Sequence, residues 1–431
     1  MSDSDQADEK QGLPTSSFAR ASRMLSLPLG EAQRQAVGFG RRLFGADADQ
    51  VEADLRTAAA EQLFAVLGEL KGGAMKFGQA LSMFESFLPE EIAAPYRQHL
   101  AKLQDSAPPL PSSRVQAVLR NELGPRWRDR FESIDLRPAA AASIGQVHRG
   151  VLVGGQPVAI KVQYPGADQA LRSDLRQLER LAGVVAPLAG GVDVVTVPRE
   201  LAARISEEVD YTLEAQHQAQ AAAAFEGDPE FVVPKVHHAT TRVLISDWLD
   251  GSKLTSVADS PDEVRNRVGL LYVRSLFAGP ARAGLLHADP HPGNYLVLGD
   301  GRLGIVDFGL VARLPDGLPT AMARLIQLAI VNDIAAMTAG LSDEGFIAKD
   351  VDASELFGYL DPFVEPARVD EFHFDREWMR EQFLHVRSSS NRGGVGMKMT
   401  IPPVYALIHR VWLGGIAVLA QLDVTARFRD V

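Results

Sequence analysis

The sequence HADPHPGN at residues 287–294, followed by IVDFG at residues 305–309, sets three oxygen-bearing side chains in order along the chain. They are Asp289, Asn294 and Asp307, and a short hairpin-like segment separates the last two. Carboxylate and carboxamide oxygens are hard ligands that suit Mg2+, which keeps part of its water shell and bridges phosphate groups. Asp-Phe-Gly alone is a weak signal, but the complete spaced set predicts a site for Mg2+ and a nucleotide triphosphate.

This spacing is the one that a kinase-like site uses. Asp289 is the candidate catalytic residue, placed where it can orient or deprotonate a nucleophile. Asn294 and Asp307 are the candidate ligands of Mg2+ on ATP or ADP. Such a site also needs a lysine and a phosphate-binding loop, which we expect upstream of residue 287.

The amino-acid composition limits the classes of protein to which the chain can belong. The chain has 431 residues, 46% hydrophobic and 23% charged, which is ordinary for a soluble globular protein with a sizeable core. Its formal net charge of −11 disfavours a general nucleic-acid surface, so we expect no nucleic-acid partner. It has no cysteine, which excludes disulfides, thiolate metal sites and cysteine nucleophiles and is compatible with a cytoplasmic location.

No membrane-spanning segment is predicted. The polar, acidic N-terminus has no apolar signal core, and we expect residues 1–14 to be disordered. The longest apolar runs, 181–197 and 412–422, are shorter than the roughly 20 residues that a spanning helix needs. We expect residues 412–422 to pack in the core rather than against lipid.

The periodicity predicts an α+β chain of two lobes. Residues 15–110 are predicted to form a helical extension, 111–250 an N-terminal lobe with inserted helices, and 251–431 a mostly helical C-terminal lobe. A nucleotide would occupy the cleft between the lobes. Helices are predicted at 111–123, 171–188, 198–225, 262–283 and over most of the chain after residue 318.

Two pairs of strands are predicted within the N-terminal lobe. Residues 143–149 and 157–162 are joined through Gly154-Gly155, which is a hairpin turn signal. Residues 231–237 and 241–247 form the second pair. The sequence therefore predicts a small sheet before the helical lobe.

Lys161 ends the run Val158-Ala-Ile-Lys in a predicted strand, where alternation points it away from the face of Ile160. In a kinase-like lobe this lysine contacts the α- and β-phosphates of ATP. A surface lysine at a strand end is the alternative. Because Asp289, Asn294 and Asp307 follow downstream, we favour the phosphate contact. Lys161 is therefore a candidate catalytic and ATP-binding residue.

Lys161 needs a carboxylate partner. Glu207, Asp210 and Glu214 lie on one face of a predicted helix, because residues three and four apart are neighbours. A solvated acidic face is the alternative and the usual meaning of such a run. We favour Glu214 as the partner of the lysine and assign Glu208 and Asp210 another role. The choice between Glu208 and Glu214 stays open.

An alanine-rich segment stands where a glycine-rich phosphate loop is expected. Its candidate ATP-binding residues are Ala140, Ala141, Ala142 and Ser143. Glycines let backbone amides approach phosphates closely, and alanines restrict such a loop, so nucleotide selectivity and turnover should differ from those of a typical kinase. A helix cap of small residues is the alternative, since alanine favours helix.

The stretch TRVLISDWLD at 241–250 is a strand that runs into Gly251. In a kinase-like fold it would be the hinge, whose backbone groups meet the adenine edge. Ser246 would then be the gatekeeper, and Asp247, Trp248 and Leu249 the linker to the second lobe. An ordinary core strand is the alternative, because backbone contacts leave no signal in the composition.

These motifs together resemble the UbiB family, also called the ADCK or aarF-domain atypical kinases. The resemblance rests on AAASIGQVH, VAIK, Glu208-Val-Asp210, HADPHPGN and VDFG, and covers roughly residues 16–425. One more motif lies upstream. Lys76, Gly78 and Gln79 match the KxGQ signature of the family, which ordinary protein kinases lack.

The resemblance implies a bilobal atypical protein-kinase-like fold with an N-terminal helical extension and a mostly helical C-terminal lobe. It implies that the KxGQ helix, with Lys76 as a further catalytic candidate, packs over the protein-substrate site near Glu208 and Asp210. ATP and Mg2+ binding with ATPase activity is then expected, rather than efficient phosphorylation of proteins. A genuine protein or small-molecule kinase and a nucleotide-dependent binding module are the alternatives.

The resemblance also implies partners and a location. The family is tied to ubiquinone and other prenyl-lipid pathways, so lipids or quinone-pathway proteins are the expected partners besides the nucleotide. Many members carry C-terminal membrane helices, and none is predicted for this chain. We therefore expect a cytoplasmic protein with reversible, peripheral contact at the inner membrane face.

Overall fold

The computed structural model describes residues 110–142, 144–166, 210–347, 351–389, 399 and 402–431 of the chain. The predicted tail, the predicted helical extension up to residue 109 and the predicted helix at 171–188 lie outside the described residues. The same holds for the following residues singled out above: Lys76, Gly78, Gln79, Ser143, Glu207 and Glu208.

Helices and strands are numbered in chain order within the described residues. The helices are α1 (Ser112–Leu123), α2 (Tyr211–Ala224), α3 (Asp262–Ala283), α4 (Thr320–Ile330), α5 (Ile334–Asp343), α6 (Ala353–Arg368), α7 (Arg376–Ser389) and α8 (Pro403–Leu422). The strands are β1 (Phe131–Ile134), β2 (Ala140–Ala142), β3 (Gly145–Leu152), β4 (Pro157–Gln163), β5 (Phe231–Val232), β6 (Val236–Ala239), β7 (Val243–Asp247), β8 (Gly251–Lys253), β9 (Leu285–His287), β10 (Tyr295–Leu298), β11 (Leu303–Ile305), β12 (Val311–Arg313), β13 (Phe372–Phe374) and β14 (Val424–Ala426).

The chain divides into two compact units, and the first holds a sheet backed by α1. This unit comprises the described part of Glu90–Tyr211 together with His238–Ile245. The strand order of the sheet is β1-β3-β4-β7-β6, with β2 pairing with β3. Leu119 of α1 and Ile160 of β4 are fully buried in one apolar cluster. Lys161 follows Ile160 and points to the opposite face of the sheet, as the alternation predicts.

Among the described residues, the second unit comprises Thr212–His237 and Ser246–Val431. It contains a sheet of order β5-β11-β10-β8 and the strand pairs β9 with β12 and β13 with β14. The helices α3 and α8 supply much of its buried apolar core, for example Tyr272 and Leu419. This core supports the loops that carry Asp289 and Asp307.

Several local predictions are confirmed. α3 has the predicted bounds, and α1 lies within the predicted helix at 111–123. β3 and β4 form the predicted antiparallel hairpin, and its turn contains Gly154 and Gly155 at φ values of 104° and 85°. These left-handed angles are open to glycine at no steric cost, which is why the Gly-Gly pair indicates the turn. After residue 318 the described chain is mainly helical, through α4 to α8.

The prediction of a single strand at 231–237 is wrong. Phe231 and Val232 form β5, which pairs in parallel with β11, and only β6 lies next to β7. Pro234 stands between the two short strands. Proline has no N–H to donate to a strand ladder, so the chain leaves one sheet before it enters the other.

The helix-cap alternative for the alanine-rich segment is also wrong. Ala140, Ala141 and Ala142 form β2, which pairs antiparallel with β3. The helix propensity of alanine is a weak preference, and the backbone partner supplied by β3 overrides it. The segment is therefore one arm of a hairpin at the edge of the sheet.

The apolar run at 412–422 is the second half of a longer helix, α8. Residues 404–422 have a mean hydropathy of 1.3 and are long and apolar enough to cross a membrane by length and composition alone. The core helix of a globular domain passes the same test, and 56% of that stretch is buried. Burial of its second half is confirmed by Ile416 and Leu419, which are both buried.

Candidate functional site

Two ladders of the second unit hold the signature segments beside each other. β9 pairs with β12, and β10 pairs with β11. Each ladder is extended by one further backbone hydrogen bond. In the β9–β12 ladder, the N–H of Ala288 donates to the carbonyl of Leu310 at 3.0 Å. The N–H of Val306 donates to the carbonyl of Asn294 at 2.9 Å. Because these donors and acceptors adjoin Asp289, Asn294 and Asp307, the backbone itself brings the three candidate residues into one region.

The Asn294 side chain is buried and oriented. It ends a one-turn 3-10 helix, Pro292–Asn294, and is 8% exposed. Its Nδ2 donates to the backbone carbonyl of Asp289 at 3.1 Å. With Nδ2 committed to that carbonyl, Oδ1 is the atom that Asn294 can offer to a cation.

Asp307 has a left-handed backbone, with φ of 62°. This region is sparsely populated by residues other than glycine, although Asp and Asn adopt it more readily than most. Such outliers persist where the surrounding structure over-determines them, and they cluster at functional sites. The N–H of Gly309 lies 3.4 Å from Oδ1 of Asp307, a long hydrogen bond that orients the carboxylate.

Asp289 follows β9 and is 6% exposed. The hydroxyl of Tyr272 donates to the carbonyl of Pro290 at 2.8 Å, which fixes the backbone just after Asp289. Burial raises the pKa of Tyr272 well above its ordinary value, so this hydroxyl stays a donor. Nη2 of Arg410 lies 3.7 Å from Oδ1 of Asp289. Neither Tyr272 nor Arg410 stands in a motif, so no sequence signal pointed to either residue.

Glu214 also reaches this region of the second unit. It lies on α2 and is 3% exposed. A β-carbon placed on Gly309 would lie 3.2 Å from Oδ1 of Asp307 and 3.7 Å from Oε2 of Glu214. The carboxylate of Glu214 therefore adjoins the Asp-Phe-Gly turn, and a β-carbon at position 309 would crowd Asp307 while making an ordinary contact with Glu214. Asp210 immediately precedes α2 and is half-buried.

In the first unit, Lys161 lies above an aromatic ring. Its Nζ is 5.1 Å from the centroid of Tyr211, within the range of a cation–π contact. Gly145 makes the close approach on the facing strand. A β-carbon at that position would lie 2.3 Å from the carbonyl oxygen of Val162 and 2.8 Å from the hydroxyl of Tyr211. The alanines of β2 differ in exposure: Ala140 and Ala141 are exposed, and Ala142 is buried.

The side chains of the four predicted hinge residues make different contacts. Ser246 is buried in β7. Asp247 is used within the strand pair: its carboxylate accepts from the N–H of Lys235 at 3.0 Å and lies 2.7 Å from Nε2 of His237. Trp248 donates from Nε1 to the carboxylate of Asp250 at 2.8 Å. Leu249 packs against Gly304 of β11. The backbone N–H of Asp247 also donates to the carbonyl of Lys235 at 2.9 Å, so its carbonyl is the group left as a candidate for adenine recognition.

The donor set fits Mg2+ held through phosphates. Within the described ranges, no cluster of three or more His, Asp or Glu side chains could cage a metal ion on its own. Mg2+ is usually bound by one or two protein oxygens together with water and substrate phosphates. The oxygens of Asn294 and Asp307 meet that requirement.

Asp289, Asn294 and Asp307 thus lie next to the ends of paired short strands, in a domain of mixed helix and strand content. Residues 102–340 match the ABC1 atypical kinase-like domain model, which is more than half of the chain. The chain belongs to this family, whose members include proteins named ABC1 kinases, COQ8 and aarF domain-containing kinases.

Three relatives illustrate the range of the family. A chloroplastic protein of Arabidopsis thaliana, ACTIVITY OF BC1 COMPLEX KINASE 1, is 33% identical over 70% of this chain and 45% of its own length. The mitochondrial atypical kinase COQ8B of Danio rerio is 28% identical over 93% of this chain and 64% of its own length. A solved structure of Rv3197 from Mycobacterium tuberculosis, in complex with erythromycin, is 41% identical with a TM-score of 0.68, covering 89% of this chain and 97% of that one.

The chain spans about half to two thirds of the two curated relatives described. Their names place them in chloroplasts and mitochondria. The activity and the location of those whole proteins are therefore not transferred directly to this chain.

Proposed function

We propose that this protein binds ATP with Mg2+ and hydrolyses it, as a UbiB-like atypical kinase that supports ubiquinone or other isoprenoid-lipid metabolism. The observation that supports the proposal is the pair of backbone hydrogen bonds, Ala288 to Leu310 and Val306 to Asn294, that brings the segments of the three candidate residues together. Phosphoryl transfer depends on positioning and charge stabilisation more than on covalent chemistry, and fixed acids and amides supply both.

Each residue has a defined part in this proposal. Oδ1 of Asn294 and the carboxylate of Asp307 hold Mg2+, which offsets charge on the phosphates when it is bound. Asp289 orients the attacking water. Lys161 neutralises phosphate charge, with Glu214 as its partner in a bilobal domain whose cleft holds the nucleotide. In the same proposal, Ser246 and the backbone of residues 247–249 form the adenine hinge.

Two upstream motifs, KxGQ and the alanine-rich segment, account for the proposed preference for ATP hydrolysis over protein phosphorylation. In this proposal the segment of Lys76, Gly78 and Gln79 covers the site of a protein substrate, near Glu208 and Asp210. The alanine-rich segment from Ala140 to Ser143 contacts the phosphates. Only water or a small acceptor then reaches the γ-phosphate.

The proposed setting rests on the motifs and composition of the chain, and differs from the location of its named relatives. One of them is named an atypical kinase of mitochondria and another a kinase of chloroplasts. We place this protein in the cytoplasm, with peripheral contact at the inner membrane face and with lipids or quinone-pathway proteins as partners.

Purified protein incubated with γ-labelled ATP and Mg2+ tests the proposal. Release of labelled phosphate by the wild type, lost in Asp307→Asn and retained in Asp300→Asn, supports it; Asp300 lies in the exposed turn between β10 and β11. Label transferred to an added protein or lipid instead would favour a genuine kinase. Binding of ATP without turnover, unchanged in Asp307→Asn, would favour a binding module.

A further inference from the structure

We infer that Arg410 on α8 is a positioning residue for Asp289, an inference that rests on the proposed ATP hydrolysis. Nη2 of Arg410 lies 3.7 Å from Oδ1 of Asp289. The side chain of Asp289 is 9% exposed and that of Arg410 is 34% exposed. This ion pair connects the candidate catalytic loop to a helix that no signature motif contains.

A nearly buried carboxylate needs compensation for the water it has lost. Arg410 places a positive charge beside this carboxylate, with its Nη2 3.7 Å from Oδ1. At 3.7 Å the contact is an ion pair and not a direct hydrogen bond. Arg410 thus offsets the charge of Asp289 without a direct hydrogen bond to Oδ1.

The guanidinium of Arg410 has one nitrogen, Nε, that no structural hydrogen bond engages among the described residues. This nitrogen is buried. A planar guanidinium presents five donors in a fixed fork, so a structural arginine normally engages several acceptors. The free donor and the neighbouring carboxylate together indicate a residue arranged for the site and not for packing alone.

The helix that carries Arg410 is firmly packed. Ile408 and Val411, on either side of it, are 6% and 4% exposed and belong to the core of the second unit. A group held on a rigid helix keeps its position better than one on a loop. Arg410 therefore fixes the direction of Asp289 from outside the catalytic loop.

The experiment compares ATP hydrolysis by the wild type, Arg410→Gln, Arg410→Lys, Asp289→Asn and the double variant Arg410→Gln/Asp289→Asn. We expect Arg410→Gln to lower kcat by roughly 10–100-fold, because small displacements of a catalytic group cost about that much, with KM for ATP changed less than twofold. Arg410→Lys should recover much of the loss. The double variant should be no slower than Asp289→Asn, because Arg410 acts through Asp289.

Arg427→Gln is the matched control, since Arg427 pairs with Asp430 in an exposed site of the same unit. Four results would overturn the inference: kcat unchanged in Arg410→Gln, a raised KM as its main effect, no recovery with lysine, or additive losses in the double variant. A wild type without any ATP hydrolysis would overturn the proposed function and the inference with it. A hydrolysing wild type with an unaffected Arg410→Gln rejects the inference alone.

Discussion

Nδ2 of Asn294 donates to the backbone carbonyl of Asp289 at 3.1 Å, so one side chain joins the candidate metal ligand to the candidate catalytic residue. In the proposed function the amide has two separate tasks: the nitrogen holds the loop of Asp289, and the oxygen is the proposed ligand of Mg2+. A substitution that alters only one end can separate the two tasks.

Asn294→Asp keeps an oxygen ligand and removes the donor. We expect Mg2+-dependent nucleotide binding within a few fold of wild type, but a kcat lowered by about 10-fold or more, because the loop of Asp289 loses its tie. Asn294→Ala should lose both binding and turnover. Calorimetry with Mg2+ and a non-hydrolysable ATP analogue, alongside turnover assays, checks this. Equal losses of affinity in both variants would show that the donor end has no separate role.

Asp307→Asn removes a charge while keeping a side chain that tolerates the left-handed backbone at this position. We expect the free energy of unfolding of the unliganded variant to lie within about 0.5 kcal/mol of the wild-type value, as for substitutions that disturb no packing. The rise in Tm caused by Mg2+ and nucleotide should disappear, because a ligand stabilises only by binding the folded state. An undiminished rise would exclude Asp307 from the metal site.

Gly145→Ala tests the close approach of β3, β4 and Tyr211. The added β-carbon would meet the carbonyl oxygen of Val162 at 2.3 Å, and backbone has little freedom to move. We expect a loss of about 1–3 kcal/mol in the free energy of unfolding, typical of overpacking. Chemical denaturation measures it. Gly299→Ala is the control, since nothing lies within 4 Å of its β-carbon, and an equal loss there would argue against the clash.

Ala141→Gly tests whether the alanines of β2 restrict a segment that contacts the phosphates. Ala141 is exposed on β2, so the change removes little packing and frees the backbone. We expect a higher affinity for nucleotide or a changed preference between ADP and ATP. Titration with each nucleotide measures both quantities, and values equal to those of wild type for both nucleotides would reject a role for Ala141 in binding.

His148 predicts a pH dependence of the first unit. Oε1 of Gln146 accepts from the N–H of Leu110 at 2.9 Å, so its Nε2 faces Nε2 of His148 at 2.8 Å. The ring is then neutral, with Nδ1 donating to the carbonyl of Asp135 at 2.9 Å. Burial lowers the pKa of His148 below its ordinary value of 6.5.

Because the folded pKa is lowered, the contribution of neutral His148 to stability is complete above pH 6.5 and falls as the pH drops toward the folded value. We expect the free energy of unfolding to decrease between pH 7.5 and pH 5, and to decrease less in His148→Gln. Denaturation at several pH values checks this. An identical pH dependence in the two proteins would show that His148 does not titrate on unfolding in this range.

Local features of the fold were predictable because local physics produces them. The bounds of α3 follow from its helical periodicity, and the turn of the β3–β4 hairpin follows from two glycines that adopt positive φ. The strand partner of Phe231 was not predictable. Whether a short apolar run joins one sheet or another depends on residues distant in sequence, here β11, and periodicity carries no such information.

By itself, the sequence determined which chemistry the chain can offer: the order of Asp289, Asn294 and Asp307 predicts oxygen ligands for a metal-bound phosphate, because residue types fix chemistry. Only the tertiary structure decided that Arg410 faces Asp289 and that Tyr272 fixes the backbone after it. Those contacts join segments far apart along the chain. They depend on how α3 and α8 pack, which no spacing of residues along the chain encodes.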